Sequence, residues 1–253
     1  MTKHKINISL FVFNIVLLSL MYWGNSNLTW ILLVVFMFFF LILSYGVLFM
    51  TFNYFVKSKN AFPKPNVLLT FDDGPNPQTT PIVLDLLKEY KVTAIFFVIG
   101  TKAKSENELI RRIIDEGHFI GNHTFSHHPM FALLNGSKVE KEIVELNNLF
   151  INQVIQTNLF RPPIGYTNPI IARVVNKLSL NIIGWNKRSY DTVIRNPKKL
   201  AKRLLFLAKP GSILLLHDNL KQTSEALSLF LKESQEKGII FANKNQINSF
   251  LND

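Results

Sequence analysis

The stretch "VLLTFDDGPNP", residues 67–77, leads from an apolar run into a turn. Residues 67–71 are typical of a strand buried in a sheet. Asp72 and Asp73 follow directly, and the Gly-Pro pair ends the strand. Asp-Gly-Pro is common in turns, so Asp72 could simply cap a loop. That interpretation does not explain why a second carboxylate lies beside the first, since like charges repel.

Strand-like and helix-like segments alternate through the rest of the chain. Strands are predicted at 67–71, 92–100, 118–123, 158–163, 181–186, 211–218 and 239–243. Helices are predicted at 80–90, 106–117, 137–154, 168–179, 196–208 and 224–238, with a terminal helical turn. This alternation indicates βαβ units and an α/β fold with a parallel sheet or barrel.

Polar residues follow the predicted strands at the points where those strands end. They are Asp72, Asp73, His123, Arg161, Asp191 and His217. In parallel sheets and barrels, functional sites collect at the carboxyl ends of the strands. We therefore expect these side chains to meet at one end of the fold.

Four of the six histidines lie in "HFIGNHTFSHH", residues 118–128. His123 and His127 are four residues apart, so a single helical turn would direct both imidazoles the same way. With one carboxylate they could form a metal site that leaves positions open for water and substrate. Alternatively, they are ordinary surface or core histidines. A cation bound to one aspartate would relieve the repulsion between Asp72 and Asp73 and leave the other free as a base.

Arg161 and His217 each allow a structural and a functional interpretation. Arg161, in "FRPPIG", could be a surface charge or a structural salt bridge, or it could hold an aspartate ionised and oriented. His217 follows the apolar run "ILLL". It could be a satisfied core histidine or a general acid near neutral pH.

The N-terminal region contains two long uncharged segments, residues 6–23 and 28–50, separated by "GNSN". Each is long enough to cross a bilayer core of roughly 30 Å, which predicts a transmembrane hairpin. A signal peptide is the alternative for the first segment, although "YWGNSN" is a poor cleavage site. A hairpin would leave the N-terminus and the following domain on one side of the membrane. Lysines flank the hairpin at 3, 5, 57, 59 and 64, and the positive-inside rule then predicts a cytoplasmic domain.

Charge and cysteine content narrow the expected partners. The chain carries a formal charge of +11, and residues 60–253 hold 24 Lys and Arg against 17 Asp and Glu. Such a domain tends to lie near anionic lipid headgroups, and no basic-aromatic motif indicates nucleic acid. The absence of cysteine excludes disulfides and thiolate metal sites. The basic stripe formed by Lys198, Lys199, Lys202 and Arg203 could meet lipid phosphates or simply be the solvated face of a helix.

Five ordered motifs, "TFDDGPN", "HTFSH", "RPPIG", "SYD" and "LLLHD", resemble those of the polysaccharide deacetylases, the NodB-homology or carbohydrate esterase 4 family. The resemblance covers about residues 66–245. It implies a distorted (β/α) TIM-like barrel of the NodB type, here preceded by the two-helix transmembrane hairpin. The expected organisation is a membrane hairpin at 1–56, a linker at 57–65 and a catalytic domain at 66–253.

The resemblance also implies roles for the central residues. Asp73, His123 and His127 match the family's ligands for a divalent metal, usually zinc. Asp72 matches the base that activates a water molecule. His217 matches the acid that protonates the departing amine.

Four further residues match supporting positions. Arg161 matches the partner of Asp72, and Asp191 matches the partner that tunes His217. The backbone N–H of Ile164 would hold the oxyanion, and Leu215 would line a small pocket for the acyl methyl group.

The chain departs from the family pattern at three positions. Within "RSYDT", Arg188 and Thr192 stand where many members have an aspartate and a tryptophan. The missing tryptophan removes a wall of the acyl pocket. Ile164 replaces a common tyrosine, which leaves the backbone donor in place.

Three functional hypotheses follow from these observations. The first is a membrane-anchored, metal-dependent deacetylase that removes an N-acyl group, expected to be acetyl, from an amino sugar of a glycan or lipid-linked saccharide. The second keeps this chemistry but places the domain outside the cell, on peptidoglycan or chitin-like oligosaccharides. The third is a carbohydrate-binding relic of the fold without catalysis.

Overall fold

The structure, a computed structural model, describes residues 3–25 and 27–252. Its N-terminal part is a pair of packed helices, α1 (Lys3–Met21) and α2 (Leu28–Leu48). By length and composition alone, both are apolar enough to cross a membrane. Most of their described side chains are unburied, although Leu43 and Val47 of α2 pack against a core cluster of the following domain.

The remainder of the chain alternates between strands and helices. The strands are β1 (Ser58–Lys59), β2 (Leu68–Gly74), β3 (Ala94–Val98), β4 (Phe119–Asn122), β5 (Leu159–Phe160), β6 (Asn181–Ile183), β7 (Lys187–Arg188) and β8 (Ile213–His217). The helices are α3 (Thr80–Glu89), α4 (Gly100–Ser105), α5 (Asn107–Asp115), α6 (Gly136–Asn152), α7 (Pro169–Lys177), α8 (Pro197–Leu207), α9 (Lys221–Glu236) and α10 (Lys244–Asn252).

The eight strands of the described residues all pair in parallel, in the order β1-β6-β5-β4-β3-β2-β8-β7. Strands β1 and β7 are the two edges, so the barrel is incomplete. This arrangement confirms the predicted α/β fold, a distorted (β/α) barrel.

Strand alternation separates an inner face from an outer face. On β2, Leu69 and Phe71 pack outward in a core shared with α3, α8 and α9. Leu68 packs inward in a cluster to which β3, β5, β6, β8 and α10 also contribute. Because side chains alternate along a strand, Thr70 and Asp72 share the inner face with Leu68. On β8, Leu215 and His217 likewise share it with Ile213.

Several elements differ from the sequence-based prediction. Strand β1 lies within the expected linker, where Ser58 and Lys59 pair with β6. Strand β7 and helix α4 were not predicted. The expected strand at 239–243 is reduced to one bridge between Val67 and Phe241, and the expected terminal turn is the nine-residue helix α10.

Residues that follow α2 belong to the core of the barrel domain. Met50, Tyr54, Phe55 and Val56 are buried in one cluster with residues of α6, α7 and β6. All four lie within residues 1–56, which the sequence analysis assigns to the membrane hairpin. The structure therefore joins the hairpin to the domain through packed side chains.

Candidate functional site

A bulge in β2 brings two adjacent carboxylates to one end of the barrel. Asp72 pairs with Phe97 of β3 and Gly74 with Val98, which leaves Asp73 as the extra residue. Asp73 has a φ of 68°, a left-handed value that reverses the usual alternation of side chains. Such bulges re-aim side chains. Asp72 is nearly buried, whereas the side chain of Asp73 is about one-quarter exposed.

The loop after β4 brings His123 and His127 together without a helical turn. The predicted helical turn between these histidines is wrong, because Thr124 and His127 have φ values of 66° and 50°, which an α-helix does not contain. Asn122 fixes the start of this loop. Its side-chain oxygen accepts the Thr124 N–H at 2.7 Å, and its amide nitrogen donates to Ile143 O at 2.9 Å.

Asp73, His123 and His127 present three donor atoms within 4.8 Å of one another. Asp73 Oδ1 lies 3.4 Å from His123 Nε2 and 3.3 Å from His127 Nε2. This oxygen is buried and accepts no hydrogen bond within the described chain. Two imidazoles and an unsatisfied carboxylate oxygen are a donor set that suits a divalent cation such as zinc. These residues therefore fit the metal expected from the sequence.

Protonation in this cluster also suits a cation. Burial raises the pKa of Asp73, but contact with His123 and the charges of His127 and His217 outweigh it and hold that pKa well below its usual range. Burial lowers the pKa of His127, and the neighbouring His123 lowers it further. An ionised carboxylate and a neutral imidazole are the forms that bind metals.

A backbone carbonyl fixes the orientation of His123. Its Nδ1 lies 2.7 Å from Arg161 O, so Nδ1 carries the proton and donates it. The lone pair of Nε2 then faces Asp73. Histidine ligands in metal sites commonly use one ring nitrogen in this way to orient the other.

Arg161 lies fully buried beneath Asp72. Its Nη1 donates to Asp72 Oδ1 at 2.6 Å and to Thr70 Oγ1 at 2.9 Å. Its other nitrogens donate to Ile183 O at 2.8 Å and Gly184 O at 3.0 Å. Burial lowers the pKa of Arg161, and the Asp72 carboxylate opposes that effect. This network fixes Oδ1 of Asp72, and the other oxygen, Oδ2, faces His123.

His217 and Asp191 form a second buried pair across β8. Asp191 Oδ1 lies 2.8 Å from His217 Nδ1, and Asp191 Oδ2 accepts the His217 N–H at 2.7 Å. Burial lowers the pKa of His217, but Asp191 more than offsets it, and the pKa is raised to about 9. The opposite ring nitrogen, Nε2, lies 4.0 Å from Asp73 Oδ2. A protonated Nε2 therefore faces the three-residue cluster.

Ile164 lies at the edge of the candidate site, and Leu215 lies on the inner face of the barrel below it. Ile164 has a φ of 64° and is about two-fifths exposed, in the short 3₁₀ turn Pro163–Gly165. Its N–H donates no hydrogen bond to any residue in the described part of the chain. Leu215 is buried beside Thr70 on the inner face, two residues below His217.

The sequence analysis did not identify three polar contributors to this site. Thr70 accepts a hydrogen bond from Arg161, and Asn122 accepts one from the Thr124 N–H. Lys102 donates to Asp73 O at 2.7 Å. Thr70 could have been found, because it lies two residues before Asp72 and so shares its strand face. The positions of Asn122 and Lys102 depend on loop conformations that carry no comparable signal.

Known proteins resemble this chain in sequence and in fold. The family model described as polysaccharide deacetylase matches residues 59–183. The chain is 34% identical over 187 residues to the peptidoglycan-N-acetylglucosamine deacetylase of Bacillus cereus, covering 72% of this chain and 87% of that protein. It is 34% identical over 191 residues to the chitooligosaccharide deacetylase of Sinorhizobium fredii, covering 70% and 88%. The solved structure of the peptidoglycan deacetylase PdaC from Bacillus subtilis superposes with a TM-score of 0.67 at 30% identity, covering 73% of this chain and 90% of that one.

Proposed function

Because the chain belongs to the polysaccharide deacetylase family of hydrolases, we propose that it removes the N-acetyl group from an amino sugar. The substrate is a glycan or a lipid-linked saccharide, and the enzyme is anchored to the membrane by α1 and α2. The observation that carries the proposal is the arrangement of two carboxylates with different surroundings. Asp73 faces His123 and His127, whereas Asp72 is held by Arg161.

Asp73, His123 and His127 would hold one divalent cation, with zinc as the expected metal. When bound, such a cation lowers the pKa of water toward about 7 and polarises a carbonyl oxygen. Asp72 Oδ2 lies 3.8 Å from His123 Nε2, at the edge of this cluster. It is therefore placed beside the metal ligands without being one of them.

The remaining residues divide the proton transfers of amide hydrolysis. Asp72 accepts a proton from the attacking water, whose oxygen bonds to the acyl carbon. The Ile164 N–H stabilises the negative charge that develops on the acyl oxygen. The C–N bond then breaks, and its electron pair remains on nitrogen, which takes the proton from His217 Nε2. Acetic acid, which ionises to acetate in water, and a free amino sugar leave, and Leu215 lines the space for the acetyl methyl group.

Different surroundings give the proposed acid, His217, and the proposed base, Asp72, their separate roles. His217 is kept protonated by Asp191, and Asp72 is oriented by the guanidinium of Arg161. Enzymes that need an acid and a base at one pH use such differences in environment.

The proposed location is a two-pass membrane protein with a cytoplasmic catalytic domain. The hairpin returns to its starting side, because His4 N donates to Tyr54 O at 3.1 Å and Asn7 Nδ2 to the Tyr54 hydroxyl at 2.5 Å. The lysines near both ends of the hairpin therefore lie on the side of the domain, and the tip has no charge. That distribution supports the cytoplasmic side.

An extracytoplasmic deacetylase acting on peptidoglycan or chitooligosaccharides is the second candidate. The names of the relatives from B. cereus and S. fredii favour it. The carbohydrate-binding relic is disfavoured, because Asp72, Asp73, His123, His127 and His217 are all present and converge.

The catalytic proposal is tested by amine release from N-acetylglucosamine oligomers. We expect Asp72→Asn to reduce the rate about 100-fold or more, as removal of a general base does. Asp115→Asn, which removes an exposed carboxylate from α5, is the matched control and should retain wild-type activity. Full activity of Asp72→Asn would remove this residue from its role. A metal-loaded wild type that releases no amine from any N-acylated amino sugar would support the relic instead.

A further inference from the structure

A cavity open to solvent lies near the candidate active site, between the end of the hairpin and the edge of the sheet. Its volume is about 340 Å³, within the range of about 300–1,000 Å³ typical of small-molecule sites. The residues that matter here are Thr51, Trp185, Lys187, Arg188, Tyr190 and Arg203.

The cavity is strongly basic. Its lining includes three cationic side chains, those of Lys187, Arg188 and Arg203, and no carboxylate. None of these three forms an ion pair with a described residue, although ion pairs occur elsewhere in the chain. Uncompensated like charges gathered around a concave surface attract an anion.

Two of the cationic groups, those of Arg188 and Arg203, approach the same aromatic ring. The guanidinium carbons of Arg188 and Arg203 lie 5.6 and 4.8 Å from the centroid of the same Tyr190 ring. Arg203 also donates to Ser189 O at 2.8 Å and to Arg188 O at 3.0 Å. Arg203 therefore turns toward the cavity and does not complete the solvent-facing stripe with Lys198, Lys199 and Lys202. Ordered guanidinium groups are well suited to phosphate.

Two residues that line the cavity, Trp185 and Tyr190, adjoin residues of the active site. The Trp185 ring occupies the space beside Gly165, next to Ile164, and the Arg161 guanidinium lies 5.3 Å from its centroid. Tyr190 directly precedes Asp191, the partner of His217. A ligand in the cavity would thus be a neighbour of a sugar bound between Ile164 and His217.

The opposite wall of the cavity belongs to the end of the hairpin. Thr51 lies in the 3₁₀ turn Met50–Phe52, directly after α2. The active-site loop is tied to the same end, since Thr167 N donates to Val47 O at 3.1 Å and Thr167 Oγ1 to Gly46 O at 3.2 Å. With α2 in a bilayer, Thr51 would lie at the level of the lipid headgroups.

We propose that this cavity binds the phosphate group that links the N-acetylated amino sugar to a membrane lipid. This inference rests on the proposed deacetylase function and selects its substrate class. The sugar lies at the metal site, the phosphate lies against Lys187 and Arg188, and the lipid chain passes Thr51 into the bilayer.

The test compares two probes with the full-length chain in a neutral, phosphate-free detergent. One probe is N-acetylglucosamine joined to a farnesyl chain through a phosphate, and the other carries the same sugar and chain without phosphate. In the Lys187→Gln/Arg188→Gln variant, the ratio of kcat/KM for the first probe to that for the second should fall about tenfold or more, the loss expected for a charge-assisted hydrogen bond.

A matched variant controls for the loss of two positive charges. Lys198→Gln/Lys199→Gln removes two exposed cations of α8 that do not line the cavity, and its ratio should equal that of the wild type. The charge-preserving variant Lys187→Arg/Arg188→Lys should recover most of the wild-type ratio. An unchanged ratio in the Lys187→Gln/Arg188→Gln variant, or an equal fall in the α8 variant, would overturn the proposal.

Equilibrium binding of the phosphate-bearing probe separates this proposal from the proposed function. If the wild type releases amine from neither probe, the deacetylase function fails on these sugars. Tenfold weaker binding to Lys187→Gln/Arg188→Gln would still support the phosphate site, and equal binding would refute it. Competition by inorganic phosphate or phosphatidylglycerol that is as effective as the probe itself would assign the cavity to a free anion or a bulk lipid, and would also refute it.

Discussion

At the scale of single residues, burial and charge act in opposite directions on the imidazole of His217. Burial lowers its pKa from the ordinary value of 6.5, but the carboxylate of Asp191 raises it to about 9. The pair therefore stabilises the folded state fully below pH 6.5, and this contribution is lost as the pH rises through about 9. The same shift keeps a proton on Nε2 at neutral pH, as a general acid requires.

We predict that His217 of the metal-free chain titrates near pH 9 in an NMR experiment on ¹⁵N-histidine-labelled protein. Asp191→Asn should move the midpoint down by more than one pH unit, because burial then acts without the opposing charge. His217→Gln assigns the resonance. A wild-type midpoint near 6.5 that Asp191→Asn leaves unchanged would contradict this account of the pair.

At the scale of elements, the loops carry more of the site's geometry than the strands do. The strands that the sequence predicts best, β2, β3 and β8, are mainly apolar and are buried on both faces. Strands β1 and β7 are the polar pairs Ser-Lys and Lys-Arg at the sheet edges, which no hydrophobic pattern marks.

The histidine loop shows a different limit of sequence reasoning. The spacing of His123 and His127 predicted that their side chains converge, and they do. The path of the backbone was not predictable from that spacing, because it depends on two positive φ values and on a hydrogen bond from Thr124 N to Asn122. Residue identities were therefore easier to infer than the conformation that unites them.

The junction between α2 and the barrel gives a test at this scale. A Cβ atom at Gly46 would lie 2.9 Å from Tyr54 Cβ, so a larger residue must displace Tyr54. We predict that Gly46→Val costs about 1–3 kcal/mol of stability through overpacking. It should also lower activity, because Gly46 O holds Thr167 of the active-site loop.

Thermal unfolding and amine release in detergent measure both effects. Ser44→Val, at an exposed position of the same helix, is the matched control and should behave like the wild type. If Gly46→Val and Ser44→Val proved indistinguishable, the hairpin would be a loose tether and not a part of the domain's packing.

At the scale of the whole molecule, the proposed membrane hairpin would place the site close to the membrane surface. The sequence predicted both parts separately, from hydropathy and from alternating strands and helices. Their connection was not predictable, because it depends on Met50, Tyr54, Phe55 and Val56 packing against α6, α7 and β6. From the sequence alone, these four residues were assigned to the end of the apolar hairpin.

The side of the membrane on which the domain lies can be measured directly, since the chain has no cysteine. Ser249→Cys places a thiol at an exposed site on α10, and Asn25→Cys places one at the hairpin tip. On intact cells, a membrane-impermeant maleimide should label Asn25→Cys and should label Ser249→Cys only after the membrane is opened. The reverse pattern would place the domain outside and favour the peptidoglycan or chitooligosaccharide alternative.

The central claim is that one cation is held by Asp73, His123 and His127 while Asp72 remains free. Metal content per purified chain, measured by mass spectrometry after loading with zinc and removal of excess, tests it most directly. The account predicts one cation in the wild type, one in Asp72→Asn and none in Asp73→Ala. A cation retained by Asp73→Ala, or lost from Asp72→Asn, would contradict the division of roles between the two neighbouring carboxylates.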